Sequence, residues 1–152
     1  SNVPKLRVGQ SESWRELMNK VIHWLSYRLA QNNDIIQGIN MVRRVGWVGH
    51  EPKMSPNDCI IINFRHTSLA SKALSLLLTN FVSGSLIKVH DLGFFYKASL
   101  EPITIAPSIH SDSNVNKRVS VIDGENWGNI PPSSVGHPNR SVIFTGGMDE
   151  QD

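Results

Sequence analysis

The chain has 152 residues, enough for one domain that buries about two thirds of its unfolded surface. Charged residues make up 18%, below the ~25% usual in soluble domains, and the formal net charge is +2. A committed nucleic-acid binder usually concentrates positive charge more strongly, and no apolar run reaches the ~20 residues of a membrane helix. The 18 Ser and 13 Asn favour turns and loops. We expect a single domain over 1–152 and no membrane partner.

The first residues predict an extended arm followed by a capped helix. Residues 1–10 contain Pro4, which disfavours helix, and alternate apolar with charged residues. Ser13 and Glu16 have the spacing of a capping box. We predict a helix from residue 14 to about 31, with an apolar face made by Trp14, Leu17, Met18, Val21, Leu25 and Leu29. The positions predicted to face away from this apolar surface are Arg15, Glu16, Asn19, Lys20, His23 and Ser26.

The middle of the chain predicts a buried strand and a second helix. Residues 35–56 are punctuated by Gly and Pro, which favours short strand or turn pieces. Residues 58–64 form a β-branched run typical of a strand covered on both faces, and Cys59 within it is interpreted as a buried hydrophobe rather than a nucleophile. Ser68 is predicted to cap a second helix over 69–80, whose narrow polar stripe contains Ser71, Lys72 and Ser75.

The C-terminal half predicts further strands and much irregular chain. Residues 81–99 read as one long or two consecutive strands, with Gly84 and residues 91–93 marking bulges or a turn. Additional strands are predicted at 103–105, 118–122 and 141–145, whereas most of the segment 124–152 is expected to be irregular. These patterns together predict a β-rich α+β fold.

The sequence contains no recognised catalytic or metal-binding signature. No nucleophile elbow of the G-x-S-x-G type occurs, and the six histidines lack acidic or thiol partners at zinc spacing. We therefore expect no enzymatic activity, no cofactor and no metal. An enzyme of unrecognised type stays open as an alternative, because catalytic groups can assemble from distant positions.

Basic residues near aromatic rings suggest a nucleic-acid contact. The candidate residues are Arg43, Arg44, Lys53 and Arg65, which occur among Trp47, Phe64 and His66. Such a set can combine phosphate neutralisation with base stacking. The same cations can instead lie at strand edges, where they discourage unwanted pairing. A small nucleic-acid-binding accessory protein is therefore an alternative function.

Two segments resemble a capsid protein of picorna-like viruses. Residues 8–20 are similar to the pattern G-E-x-x-x-S-x-R-x-L-x-x-R near the start of that protein, where a helical turn precedes jelly-roll strands. Residues 73–95 look like its later piece, in which a short helix leads into an aromatic strand, a Gly-Ser pair at Gly84-Ser85, and alternating apolar and basic residues. Gln10 stands where the family has Glu, and Ser83 where it has Arg. One residue is missing between Gln10 and Ser13.

The resemblance implies a viral structural protein, a coat or capsid subunit that acts by self-assembly. Its fold would be a shortened jelly-roll-like β-sandwich with an N-terminal amphipathic helix and a second helix before the longest strand. The roll would be shortened because the 57 residues after Phe95 are too few for six further strands with ordinary loops. The implied partners are other copies or sister capsid subunits, with RNA as a further contact, and the implied location is the virion, reached through the host cytoplasm during assembly. Since the chain begins with Ser, we expect an expressed fragment or a product cut from a longer precursor.

Overall fold

The structure is a computed structural model that describes residues 4–10, 12–29, 35–43, 54, 58–90, 109–112, 119–123, 136–137 and 139–146. Two helices lie in these ranges, α1 (Trp14–Leu29) and α2 (Thr67–Asn80). The strands are β1 (Leu6–Val8), β2 (Ile36–Arg43), β3 (Cys59–Phe64), β4 (Phe81–Ser83), β5 (Lys88–His90), β6 (Ile109–Asp112), β7 (Val119–Asp123) and β8 (Ser141–Thr145). The fold is a mixed α+β fold with two sheets, neither of them closed.

The larger sheet has six strands in the order β5-β8-β3-β2-β7-β6. Neighbouring strands are antiparallel except for β2 and β7, which run parallel. On one side of β3, Ile62 pairs with Val142 of β8, and on the other side it pairs with Ile39 of β2. β3 is therefore an interior strand, as its β-branched sequence predicts.

The two helices cover one face of this sheet. Side chains at alternate positions of β3 and β8 belong to the same hydrophobic cluster as those of α1 and α2; these two strands contribute Ile60, Ile62, Phe64, Val142 and Phe144. On the opposite face, Cys59, Ile61 and Ile143 are also fully buried. The centre of the sheet is thus covered on both sides, which confirms the prediction for residues 58–64.

The capping box at the start of α1 is confirmed. The Ser13 N–H donates to Glu16 Oε1 over 2.8 Å, and the Glu16 N–H donates to Ser13 Oγ over 3.3 Å. The predicted apolar face needs two corrections. Arg15 is only 8% exposed because its guanidinium lies 4.4 Å from the Trp14 ring centroid, and Trp24 is buried as well.

The start of α2 differs from the prediction that Ser68 caps it. The N-cap is His66, whose carbonyl accepts from the N–H groups of Leu69 and Ala70, and its side chain makes no capping bond. Ser68 is therefore already the second residue of the helix. The polar stripe at Ser71, Lys72 and Ser75 is exposed, as predicted.

The strands that follow agree in part with the sequence. The prediction of two consecutive strands after residue 80 is confirmed for 81–90, where β4 and β5 flank the turn at Gly84. β7 overlaps the predicted strand at 118–122, and β8 matches 141–145, whereas β6 was not predicted. Residues 91–99 and 103–105 lie outside the described residues.

The region 35–56 was wrongly expected to hold only short pieces. Ile36–Arg43 is one strand of eight residues, the longest that the structure describes, and it precedes α2 rather than following it. The second helix was expected to precede the longest strand. Among the described residues the longest strand precedes that helix, so this expectation is wrong. The strand accommodates its glycine at a register shift between Ile36 and Gly38.

The smaller sheet joins the start of the chain to the end of α2. Its two strands, Leu6–Val8 and Phe81–Ser83, run parallel, and we call this pairing the β1–β4 junction. It is extended by the Gly84 N–H, which donates to the Val8 carbonyl over 2.9 Å, and by Ser85 Oγ, which donates to the Gly9 carbonyl over 3.2 Å. A Cβ atom on Gly84 would lie only 3.3 Å from Gln10 Cγ, so a larger residue there would press on the first segment.

Neither described helix combines the length and the apolar composition needed to cross a bilayer.

Gly84→Val should lower the free energy of unfolding by about 2 kcal/mol, because overpacking at a close contact forces its neighbours apart. Gly9→Val is the matched control, since a Cβ at Gly9 meets only Glu12 Oε1 at 3.9 Å. Urea denaturation of both variants measures the difference. Equal stability of the two variants would show that the segments do not approach closely at Gly84.

Candidate functional site

The four basic residues predicted to contact nucleic acid are only partly described. Arg43 is the last residue of β2, and Arg65 follows β3, exposed to solvent, with its N–H donating to the Ile35 carbonyl. Because β2 and β3 are antiparallel, these two residues lie at opposite ends of the pair, more than about 20 Å apart along the strands. Arg44 and Lys53 lie outside the described residues, so a contact that uses them stays a prediction.

A second candidate site, with a mainly apolar lining and two basic side chains at it, lies between α1 and β1. Here the structure has an open groove with a volume of about 390 Å³. The groove is lined by Leu6, Lys20, His23, Trp24, Tyr27 and Arg28, and we call it the α1 groove. Its volume falls toward the small end of the roughly 300–1,000 Å³ that is usual for ligand sites.

Two hydrogen bonds fix α1 alongside the chain at β1. Trp24 Nε1–H donates to the Pro4 carbonyl over 3.2 Å, and the Lys20 ammonium donates to the Arg7 carbonyl over 3.4 Å. Lys20 also forms an ion pair with Glu12, whose Oε2 lies 2.6 Å from Nζ. The walls of the groove are therefore positioned by contacts made within residues 4–29.

Arg28 is held between two aromatic rings. Its guanidinium carbon lies 4.4 Å from the Trp24 ring centroid and 5.4 Å from that of Tyr27. Its Nη1–H donates to the Trp24 carbonyl over 3.3 Å, which fixes the plane of the group. Trp24 is buried, whereas Tyr27 is 76% exposed and presents its ring to solvent. The groove thus combines a pre-positioned planar cation with an accessible aromatic surface.

Positive charge is concentrated in this part of the chain. Residues 4–29 contain five Lys or Arg and two Glu, a formal net charge of +3, whereas the whole chain carries +2. Both glutamates are engaged locally: Glu12 accepts from the Gly9 N–H and pairs with Lys20, and Glu16 forms the capping box. The rest of the chain therefore carries a slight excess of negative charge.

The spacing of three residues in the sequence indicates part of this groove, although the apolar periodicity of the helix does not. Trp24 and Arg28 stand four residues apart, the spacing at which helix side chains meet, with Tyr27 next to Arg28. The contribution of Leu6 could not be predicted, because it depends on how β1 packs against α1.

The polar groups on the sheet face opposite the helices have structural partners. Ser141, which is fully buried, donates from Oγ to Asn63 Oδ1 and accepts from the His137 N–H over 2.6 Å. His90 Nε2 lies 2.6 Å from Thr145 Oγ1. Among the described residues, no group of three His, Cys, Asp or Glu is arranged to hold a metal ion.

Cys59 is a buried thiol, as the sequence indicates. Burial, and to a smaller extent the neighbouring carboxylate of Asp58, raises the pKa of the Cys59 thiol well above its ordinary value. The thiolate is the nucleophilic form of cysteine, so its formation is disfavoured here. Cys59 therefore packs as a small apolar side chain within β3.

Comparisons with protein-family models, with curated proteins and with solved structures found no match for this chain.

Cys59 should be inert toward iodoacetamide in the native protein. We expect alkylation at least about 1,000-fold slower than in urea, because the thiol reacts only when the core opens. A Cys59→Ala/Ser68→Cys double variant, whose only thiol lies on the exposed face of α2, provides the control and should react rapidly. Fast alkylation of the native wild-type protein would contradict the burial of this strand.

Proposed function

We propose that this chain is a structural subunit of a viral coat, acting by association with copies of itself or with sister subunits. The observation that carries the proposal is the contact between the two segments that resemble a picorna-like capsid protein. Residues 8–20 and 73–95 are far apart in the sequence, but Gly84 and Ser85 donate hydrogen bonds to Val8 and Gly9.

This contact gives a physical reason why the two patterns should occur together. The Gly-Ser pair of the second segment fits against the backbone of the first, where a Cβ at position 84 would meet Gln10 and the Val8 carbonyl. The close fit favours a small residue at position 84, because a Cβ there would require Gln10 Cγ to shift slightly. Two short patterns that depend on each other in this way support the resemblance more strongly than either does alone.

Exposed apolar side chains near the junction support an association surface. Leu78 at the end of α2, Val82 in β4 and Leu86 in the following turn are 57%, 38% and 43% exposed. Leu86 has a φ of 63°, a strained conformation for a leucine. The turn that holds it there is fixed by Ser83 Oγ, which accepts from the N–H groups of Ser85 and Ile87. Contiguous exposed apolar patches mark association sites, and we propose that these three side chains form one.

Open strand edges provide a second means of association. In the described part of the chain, β1 and β4 each pair on one edge only, and β5 and β6 end the larger sheet. Unpaired strand edges accept an added strand from another chain. The partner that we propose for these edges is an extended arm of a neighbouring subunit, which would pair as an added strand.

In this proposal the six-stranded sheet is one layer of a shortened jelly-roll-like sandwich. Support comes from Cys59, Ile61 and Ile143, which are buried on the face away from the helices and therefore require cover there. The parallel pairing of β2 with β7 departs from the antiparallel pairing of a standard roll. The proposed location is the virion, with assembly in the host cytoplasm, and the proposed role involves no catalysis.

The purified chain should form defined multi-subunit species, and Leu78→Asp should weaken their association about tenfold or more. A carboxylate at a buried contact loses its hydration without a partner. Sedimentation velocity over a range of concentrations measures both effects. Ser71→Asp is the matched control, since it adds the same charge to the exposed polar stripe of α2.

A monomer at every concentration would contradict the proposal. If Ser71→Asp weakened association as much as Leu78→Asp, the effect would be one of net charge, and the assigned surface would be wrong.

A further inference from the structure

The α1 groove offers a surface on which a nucleobase can stack. The Tyr27 ring is 76% exposed, and the Arg28 guanidinium lies 5.4 Å from its centroid. The guanidinium is itself supported by the Trp24 ring and by the Trp24 carbonyl. An aromatic ring next to a fixed guanidinium is a surface that bases of any sequence can stack on. Because the Trp24 ring and carbonyl already hold the Arg28 guanidinium, little conformational entropy of this group is lost on binding.

Lys20 and Arg28 supply positive charge beside this stacking surface. The charge of Lys20 is partly compensated by its ion pair with Glu12. Arg28 has no carboxylate partner among the ion pairs of the described residues. The groove therefore matches a ligand that combines a negative charge with a flat ring.

We propose that the α1 groove binds single-stranded nucleic acid, with one base stacked on Tyr27 and a neighbouring phosphate paired with Arg28. A single strand fits better than a duplex, because a base must be free of its partner to reach the ring. An acidic peptide could satisfy the cations but would leave the exposed tyrosine ring without a stacking partner. This inference does not depend on coat assembly, because all the residues of the groove belong to one chain.

Fluorescence anisotropy with fluorescein-labelled 12-nucleotide oligouridylate RNA and oligothymidylate DNA tests the proposal. The wild-type chain should bind at least one of the two, and Tyr27→Ala should weaken that binding about tenfold. Tyr27→Phe, which keeps the ring, should bind within about twofold of the wild type. Because Tyr27 is largely exposed, neither variant should disturb folding, and circular dichroism checks this.

The salt dependence of binding separates a phosphate contact from a structural effect. Arg28→Gln should reduce the slope of log K against log salt by about 0.7, the value for one phosphate of a single strand. Lys72→Gln, which removes the same charge from the exposed stripe of α2, is the matched control and should leave the slope unchanged. Arg28→Lys should restore most of the slope, because it restores the charge.

Three results would overturn the proposal. The first is that neither oligonucleotide binds, and the second is that Tyr27→Ala binds as tightly as the wild type. The third is that a 12-residue oligoglutamate displaces RNA as well as unlabelled RNA does, which would assign the groove to an acidic peptide. Sedimentation of the same variants measures assembly separately. A variant that loses nucleic-acid binding but still assembles would show that the groove acts independently of the association surface.

Discussion

The β1–β4 junction is the constraint on which the other features of this molecule depend. It places the first strand beside the last turn of α2, because β4 begins at Phe81, directly after that helix. Phe81 connects the junction to the larger sheet, since its ring meets Phe144 edge-on with centroids 5.6 Å apart. Pairing of β1 with β4 also places Leu6 beside α1 as a wall of the groove. β1 therefore contacts the residue after β4 through the Gly84–Val8 hydrogen bond, and Pro4, which precedes β1, contacts α1 through the Trp24–Pro4 hydrogen bond.

The two proposed surfaces use residues of different elements. One consists of Leu78 of α2, Val82 of β4 and Leu86 of the following turn, which expose apolar groups. The other is the α1 groove, which exposes an aromatic ring among cations. Their chemistry differs in the way expected of a subunit that contacts neighbours through one surface and a polyanion through another. Three residue pairs form the ladder of the junction.

Local signals in the sequence were sufficient for several elements. The capping box at Ser13 and Glu16, the buried strand at 59–64 and the strand at 141–145 depend on residues close together in the chain. Two predictions about the helices failed even though the contacts involved join near neighbours in the chain. Arg15 is buried because it stacks on Trp14, and α2 starts earlier than Ser68 because the His66 carbonyl accepts its first hydrogen bonds.

The candidate functional residues could be predicted only where the contact is local. Arg43 and Arg65 appeared to belong to one basic group in the sequence, but antiparallel pairing sends them to opposite ends of two strands. The pairing of Trp24 with Arg28 was readable from helical spacing, whereas the position of Leu6 beside them was not. The close approach of Gly84 to Gln10 joins residues 74 positions apart, and periodicity carries no information about it.

Native-state hydrogen exchange at the Gly84 amide tests the central claim most directly, because this N–H donates to the Val8 carbonyl across the junction. The Ile61 amide in the interior strand β3 serves as the reference for opening of the whole domain. If the junction holds the fold together, Gly84 should exchange with an opening free energy within about 1 kcal/mol of that of Ile61. Exchange of Gly84 at the rate of an unstructured peptide, while Ile61 stays protected, would contradict the account.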